Sequence, residues 1–250
     1  MWLSKKPLDI SVIYYTSNYL EEENPIFVEN TKRQLLKAAG LHPIISVSQK
    51  PMDFGQNVCV GDIGRSHLNI YRQMLYGCVN TISEYVATAE DDILYSYEHF
   101  HTATPDMKDV DFLYDMNKWS IFTWTKIPMF SFRTKRRVIN QLIAKRTALI
   151  EALEERFERV DYLIKKGKTE AEVIRYWGDI GRYEDLLGVT TRETDEFYCN
   201  KPSIVFTHPK AFGYEVNHGK KKRLGDLKAI ELLDWGRAED VLKYYYEPIL

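Results

Sequence analysis

Apolar and polar positions follow two periods along the first hundred residues. Residues 8–16 (LDISVIYYT) are rich in β-branched and aromatic side chains and predict a buried strand, closed by the turn pair Ser17-Asn18. Residues 25–39 predict a helix, with Asn30 as a candidate N-cap and Gly40 as its stop. Residues 43–47 (PIISV) predict a second strand, and a loop bearing Gly55, Gly61 and Gly64 follows. Ser66 then caps a helix whose apolar positions Tyr71, Met74, Leu75, Cys78 and Ile82 keep a 3.6-residue period. Residues 85–95 (YVATAEDDILY) begin as a third strand. The order β-α-β-α-β predicts an α/β fold with a mostly parallel central sheet.

The second half is less regular. Residues 111–122 predict two short strands around a turn at Asn117. Between Thr134 and Lys166, Ile139, Leu142, Leu149, Leu153, Phe157, Val160 and Ile164 recur at intervals of three, four or seven. That spacing predicts one long amphipathic helix ended by Gly167, most simply a packing element. Thr169 and Glu172 stand in capping-box spacing, and residues 202–206 predict a last short strand. The tail is helical in character and ends in the aromatic run Tyr244 to Tyr246. One domain is expected, with a first half (1–125), a helical segment (126–168) and a C-terminal part (169–250).

Composition narrows the class. The 250 residues are 44% hydrophobic and 13% aromatic, ample for a core. A formal net charge of −2 gives no general attraction to nucleic acid or anionic membrane. The three cysteines, Cys59, Cys78 and Cys199, lack metal-ligand spacing and fit a reducing compartment. No run approaches a membrane span, so a soluble, cytoplasmic protein is expected.

The candidate chemistry lies in the third strand. Glu90, Asp91 and Asp92 stand between two apolar segments, and an unpartnered buried carboxylate is costly. On an extended chain Glu90 and Asp92 point the same way, and hard oxygen ligands of this kind suit Mg²⁺ or Mn²⁺. A solvated strand-end turn is the plain alternative. Ligands of open α/β sheets bind at the carboxyl edge, where these acids fall.

The run GRSHLNIYRQMLYGCVNTISEYVATAEDDILYSYEHF resembles the nucleotide-sugar half of GT-A-fold glycosyltransferases. It is closest to family-two-like bacterial and phage members with a Glu-x-Asp form of the Asp-x-Asp motif. Gly64-Arg65-Ser66, Glu90-Asp91-Asp92-Ile93-Leu94-Tyr95, His99-Phe100 and the later Tyr114, Asn117 and Trp119 carry the likeness. It covers about residues 8–125 well and 175–225 loosely. It implies a glycosyltransferase with a UDP-sugar donor and a Mn²⁺ or Mg²⁺ cofactor. Glu90 and Asp92 would meet the metal. His218 would add a third ligand, favoured over His208 by the glycine and cations that follow it. Lys220 to Arg223, with Lys221 and Arg223 in the donor-binding set, would neutralise the diphosphate beside Arg65. Tyr14, Thr16 and Asn18 would hold the nucleoside, with Gln73 and Asp91 in the same set. Glu184 and Asp185 are the candidate bases, ahead of Asp179. Where the family has Asn and Thr or Ser after His-Gly, this chain has lysines. The acceptor is open: a saccharide, a protein side chain or modified phage DNA. Inverting or retaining stereochemistry and the oligomeric state are open too. A nucleotidyltransferase would want a Gly-rich basic signature near the first strand, which YYTSNYLEEENP lacks. A non-catalytic nucleotide-sugar-binding module is the remaining alternative.

Overall fold

The computed structural model describes residues 8–102, 110–133, 137–169, 172–173, 180, 184–211 and 225–249. The chain opens with β1 (Ile10–Thr16), two helices α1 (Tyr19–Glu23) and α2 (Pro25–Ala39), then β2 (Ile44–Ser48) and β3 (Gln56–Cys59). Helix α3 (His67–Val79) leads to β4 (Tyr85–Glu90), β5 (Ile93–Leu94), α4 (Tyr97–His101), β6 (Phe112–Asp115), β7 (Lys118–Phe122) and β8 (Phe130–Phe132). After β9 (Leu142–Lys145) and α5 (Arg146–Lys165) come a short helix Glu184–Leu187, β10 (Thr194–Phe197) and β11 (Ser203–Thr207). Strands β12 (Leu227–Ala229), β13 (Glu231–Leu232) and β14 (Gly236–Arg237) precede a C-terminal helix Ala238–Tyr246.

Seven strands form the central sheet in the order β10-β6-β9-β4-β1-β2-β3. Its pairs β1–β2, β1–β4, β2–β3 and β6–β10 are parallel, and β9 runs antiparallel between β4 and β6. This is the mixed α/β, Rossmann-like architecture that the opening β-α-β-α-β pattern predicts. β1 is buried along its whole length, as a strand covered on both faces must be. Ile13 and Tyr15 face a cluster with Met74 and Cys78 of α3 and Leu149 and Leu153 of α5. Ile10, Val12 and Tyr14 face the other way, toward Leu35 and Ala38 of α2. Helix α3 lies close on β1 because Gly77 offers no Cβ: one would clash with the Ile13 side chain.

A second sheet, β12-β8-β7-β11-β5, stands beside the first. Its core joins Leu94, Ile121, Phe130, Ile204 and Phe206 to Phe27 and Val28 of α2 and to Ala238 and Val241 of the C-terminal helix. The pattern 111–122 does give two strands near Asn117, but β6 enters the first sheet and β7 the second.

Several expectations change. The single helix over 134–166 is replaced by a 3-10 turn at Ile139–Gln141, strand β9 and then α5. Leu142 and Ala144 face one core cluster and Ile143 the other, the mark of a central strand. The seven residues from Leu142 to Leu149 equal two helical turns although they cross from strand to helix, so spacing alone merged the two elements. Helix α3 stops at Val79, leaving Ile82 97% exposed. Asn24, not Asn30, caps α2: its side chain accepts from the Phe27 amide, with Pro25 in the first turn. Gln56–Cys59 is an edge strand where a loop was expected. The Thr169–Glu172 capping box forms in both directions, at 2.8 and 3.2 Å.

Candidate functional site

The candidate site stands where the two sheets meet. β4 belongs to the first sheet and β5 to the second, and only Asp91 and Asp92 separate them. The chain must therefore turn at these two residues, and the extended-strand premise that aligned Glu90 with Asp92 ends at Glu90. Thr31 Oγ1 donates to the Asp91 carbonyl at 2.9 Å, and the Phe206 amide donates to the Asp92 carbonyl at 2.9 Å. Helix α2 and strand β11 thus fix the turn from both sides.

Each carboxylate goes a different way. Glu90 accepts from Tyr15 Oη at 2.8 Å and from Asn140 Nδ2 at 2.7 Å. Tyr95 Oη accepts from the Glu90 amide and donates to the Asn140 carbonyl, closing a ring of contacts. Burial, with the charge of Glu90 next, raises the Tyr15 and Tyr95 phenols well above their ordinary range, so both stay neutral donors. Asp91 accepts from Thr16 Oγ1 at 2.6 Å. Burial raises the Asp91 carboxyl, and the Thr16 hydrogen bond and the Arg65 charge offset part of that. Asp92 Oδ2 lies 3.8 Å from His208 Nε2. His208 follows β11 directly and is 1% exposed.

Two cations meet one aromatic ring nearby. The Arg65 guanidinium sits 4.1 Å over the Tyr19 ring and donates to the Lys210 carbonyl at 3.1 Å. Lys210 Nζ donates to Tyr19 Oη at 3.1 Å and pairs with Glu23 at 3.6 Å. Arg65 and Lys210 are thereby linked across the chain, beside the acid turn and two residues from His208.

Other candidate residues brace this edge. Asn18 takes the left-handed conformation at φ 60°, and its Oδ1 accepts from the Gln49 and Lys50 amides, each at 2.9 Å. Gln73 Nε2 donates to the carbonyls of Thr16 and Val47, tying the ends of β1 and β2 together. Tyr14 is 1% exposed and meets Phe54 edge-on at 5.0 Å. In this conformation its ring is packed in the core and has no open face for a base.

Glu184 and Asp185 open the short helix Glu184–Leu187. Glu184 is buried and pairs with Arg156 of α5 at 2.6 Å, whereas Asp185 is exposed. The Glu184 carboxylate is occupied by a buried guanidinium, which leaves Asp185 as the solvent-facing member of the pair. Asp179, His218, Lys221 and Arg223, with the rest of the basic run Lys220 to Arg223, lie outside the described residues.

Among the described residues, no group of three or more His, Cys, Asp and Glu side chains is arranged to hold a metal ion. Asp92 and His208 supply an oxygen and a nitrogen donor, a pair that suits Mn²⁺ better than Mg²⁺. Asn140, Tyr19 and Lys210 were missed in the sequence, and Tyr95 was read there only as part of the acid motif. Asn140 sat inside the stretch taken for a helix. Lys210 had the one available signal, its place two residues after His208.

No protein-family model matches the chain, and no curated protein does. Among solved structures it is similar to the glycosyltransferase GlyE of Streptococcus pneumoniae, at 9% identity and TM-score 0.46, over 77% of this chain and 45% of that one. It is similar to 2-C-methyl-D-erythritol 4-phosphate cytidylyltransferase of Thermus thermophilus, at 10% identity and TM-score 0.44, over 86% of this chain and 100% of that one. Residues 1–349 of S. aureus TarS give 12% identity and TM-score 0.44, over 84% of this chain and 63% of that one. This chain spans less than two thirds of the GlyE and TarS chains. The strand order and parallel pairs of its own central sheet make the protein an α/β protein with a Rossmann-like sheet. Likeness of this degree assigns it no activity. No helix among the described residues is long and apolar enough to cross a membrane.

Proposed function

We propose that the chain is a metal-dependent glycosyltransferase that moves a sugar from a UDP-sugar to a saccharide, protein or modified-DNA acceptor. One observation carries the reading: Asp92 and His208 face each other at 3.8 Å at the carboxyl end of the central sheet. The Glu-x-Asp resemblance asks for a carboxylate and a late histidine in that relation. Asp92 and His208 would hold Mn²⁺, with His218 as a further ligand. That cation would supply positive charge where the diphosphate leaves. Arg65 and Lys210 add two positive charges on the same side, suited to a diphosphate rather than to a neutral sugar. Glu90, anchored by Tyr15 and Asn140, shapes the wall of the site. Asp185 is the candidate base for the acceptor proton.

The test is a thermal-shift titration with UDP and UDP-sugars, with and without Mn²⁺. A ligand present at about 100 times its Kd stabilises the folded state by about 2.7 kcal/mol. The expected result is a UDP-dependent rise that needs Mn²⁺ and disappears in Asp92→Ala. A rise that survives Asp92→Ala, or no rise with any nucleotide, would sink this reading.

A further inference from the structure

The C-terminal segment contributes to the candidate site. We propose that Tyr245, on the C-terminal helix Ala238–Tyr246, is a positioning residue for His208. The inference rests on the reading of His208 as a ligand-binding group.

Two aromatic rings from separate elements, Tyr245 and Phe27, lie against the His208 imidazole, and a third, Phe206, packs on both of them. Tyr245 lies 5.7 Å from the imidazole at an interplanar angle of 35°. Phe27, in the first turn of α2, meets it at 6.3 Å and 70°. Phe206, two residues earlier on β11, stacks with Tyr245 at 6.4 Å and packs on Phe27 at 4.7 Å. Tyr245 also contacts Phe27 directly, at 4.9 Å. The Tyr245 ring is tilted against the imidazole, and the Phe27 ring stands steeply inclined to it. An imidazole turns about two side-chain bonds, and a half-turn of the ring exchanges nitrogen for carbon at a given place. Two rings packed at different angles limit both rotations, and they keep Nε2 directed at Asp92.

The position of Tyr245 is itself fixed from a distance. Asn24 Nδ2 donates to the Tyr245 carbonyl at 2.9 Å. Asn30 Nδ2 donates to the carbonyls of Tyr244 and Glu247, at 2.8 and 2.7 Å, and Asn30 Oδ1 accepts from the Ile249 amide at 3.0 Å. Asn30 is 3% exposed and sits mid-helix, where asparagine is a poor helix former. Both ends of its amide are directed at residues more than two hundred positions away. Helix α2, which also holds the Asp91 carbonyl through Thr31, therefore sets the register of the C-terminal segment against the site.

Two variants and two readouts test this. Tyr245→Ala removes the ring, and Tyr245→Phe keeps it. The ring nitrogens of His208 are followed by NMR in protein labelled at histidine, assigned with His208→Gln. Mn²⁺ binding is followed by the electron-spin signal of the free ion. Expected in Tyr245→Ala are shifted or broadened His208 ring signals and Mn²⁺ binding weakened about tenfold, the scale of an outer-sphere change at a metal site. Tyr245→Phe restores both. Unchanged His208 signals in Tyr245→Ala overturn the proposal, whatever happens to the melting temperature. If wild type binds no Mn²⁺ yet the His208 signals move, the positioning role stands and the metal reading fails.

Discussion

Asp115, at the end of β6, lies 3.1 Å from His99 Nδ1, and both side chains are fully buried. Its other oxygen accepts from the amides of Asn117 and Cys199. Glu184 likewise meets Arg156 at 2.6 Å, with the guanidinium 1% exposed. The turn after β4 handles its acids otherwise. Three carboxylates stand in a row, and Tyr15, Thr16 and Asn140 reach two of them with neutral donors. One region matches each buried acid to a basic partner and so fixes a packing arrangement. The other gathers negative charge at a sheet edge and holds two of its three acids with hydroxyls and an amide, while the third, Asp92, lies 3.8 Å from His208. Such an edge is suited to a cation that arrives from outside. The contrast separates a structural carboxylate from a candidate functional one by its partners as well as by burial: Asp115 and Glu184 are buried, whereas Glu90, Asp91 and Asp92 are half-buried.

The largest expected effect is on the structural side. Glu184→Ala leaves the Arg156 charge in the core and should lower unfolding free energy by about 3–5 kcal/mol. Replacing both partners by apolar residues of similar volume should recover most of that loss. Urea unfolding of the single and double variants measures both. A single-variant loss below about 1 kcal/mol, the range of an exposed pair, would place Glu184 with the surface acids and blur the contrast.

Asp115→Asn comes next, at about 2 kcal/mol, the range of a hydrogen bond to a charged group. Burial alone would raise the Asp115 carboxyl, but the His99 hydrogen bond and charge, with the Asn117 and Cys199 amides, bring it below its usual 3.8. A depressed folded value adds stability above pH 3.8 that is lost as pH falls through the folded value. The deficit of the Asn variant should therefore be full at neutral pH and fade below 3.8. A deficit constant across that range would mean that shape, not charge, matters at Asp115.

These contrasts also mark how far the sequence was legible. β1, α2, β2, α3 and β4 were readable because each keeps one period over many residues and is bounded by a turn or cap. The acid turn was readable because three acids between apolar runs demand an explanation. The second sheet was not, since β5, β8 and β12 have two or three residues each and carry no periodic signal. The same gap hid the site's second wall. Asp92 meets His208 only because β5 pairs with β11, more than a hundred residues later. Asn140 was lost for a related reason, because β9 is too short to announce itself beside a twenty-residue helix. His208 was a candidate but stood second to His218, which lies outside the described residues.

The smallest effect has the opposite sign. Asp91 sits in the acid turn, and burial raises its carboxyl above 3.8 despite Thr16 and Arg65. A raised folded value means that the folded state binds the proton more tightly than the unfolded chain does. Stability is therefore lost as pH rises from 3.8 through the folded value, and at neutral pH the full penalty is present. Asp91→Asn removes the charge but keeps an oxygen for the Thr16 hydroxyl. It should stabilise the ligand-free protein by about 1 kcal/mol at neutral pH, the usual scale when a functional site is relieved of its own cost. Below pH 3.8 the gain should vanish, the mirror image of Asp115→Asn. Parallel pH series of the two Asn variants in urea measure both slopes. If Asp91→Asn instead loses stability as Asp115→Asn does, the acid turn is one more structural arrangement and the distinction between the two regions collapses.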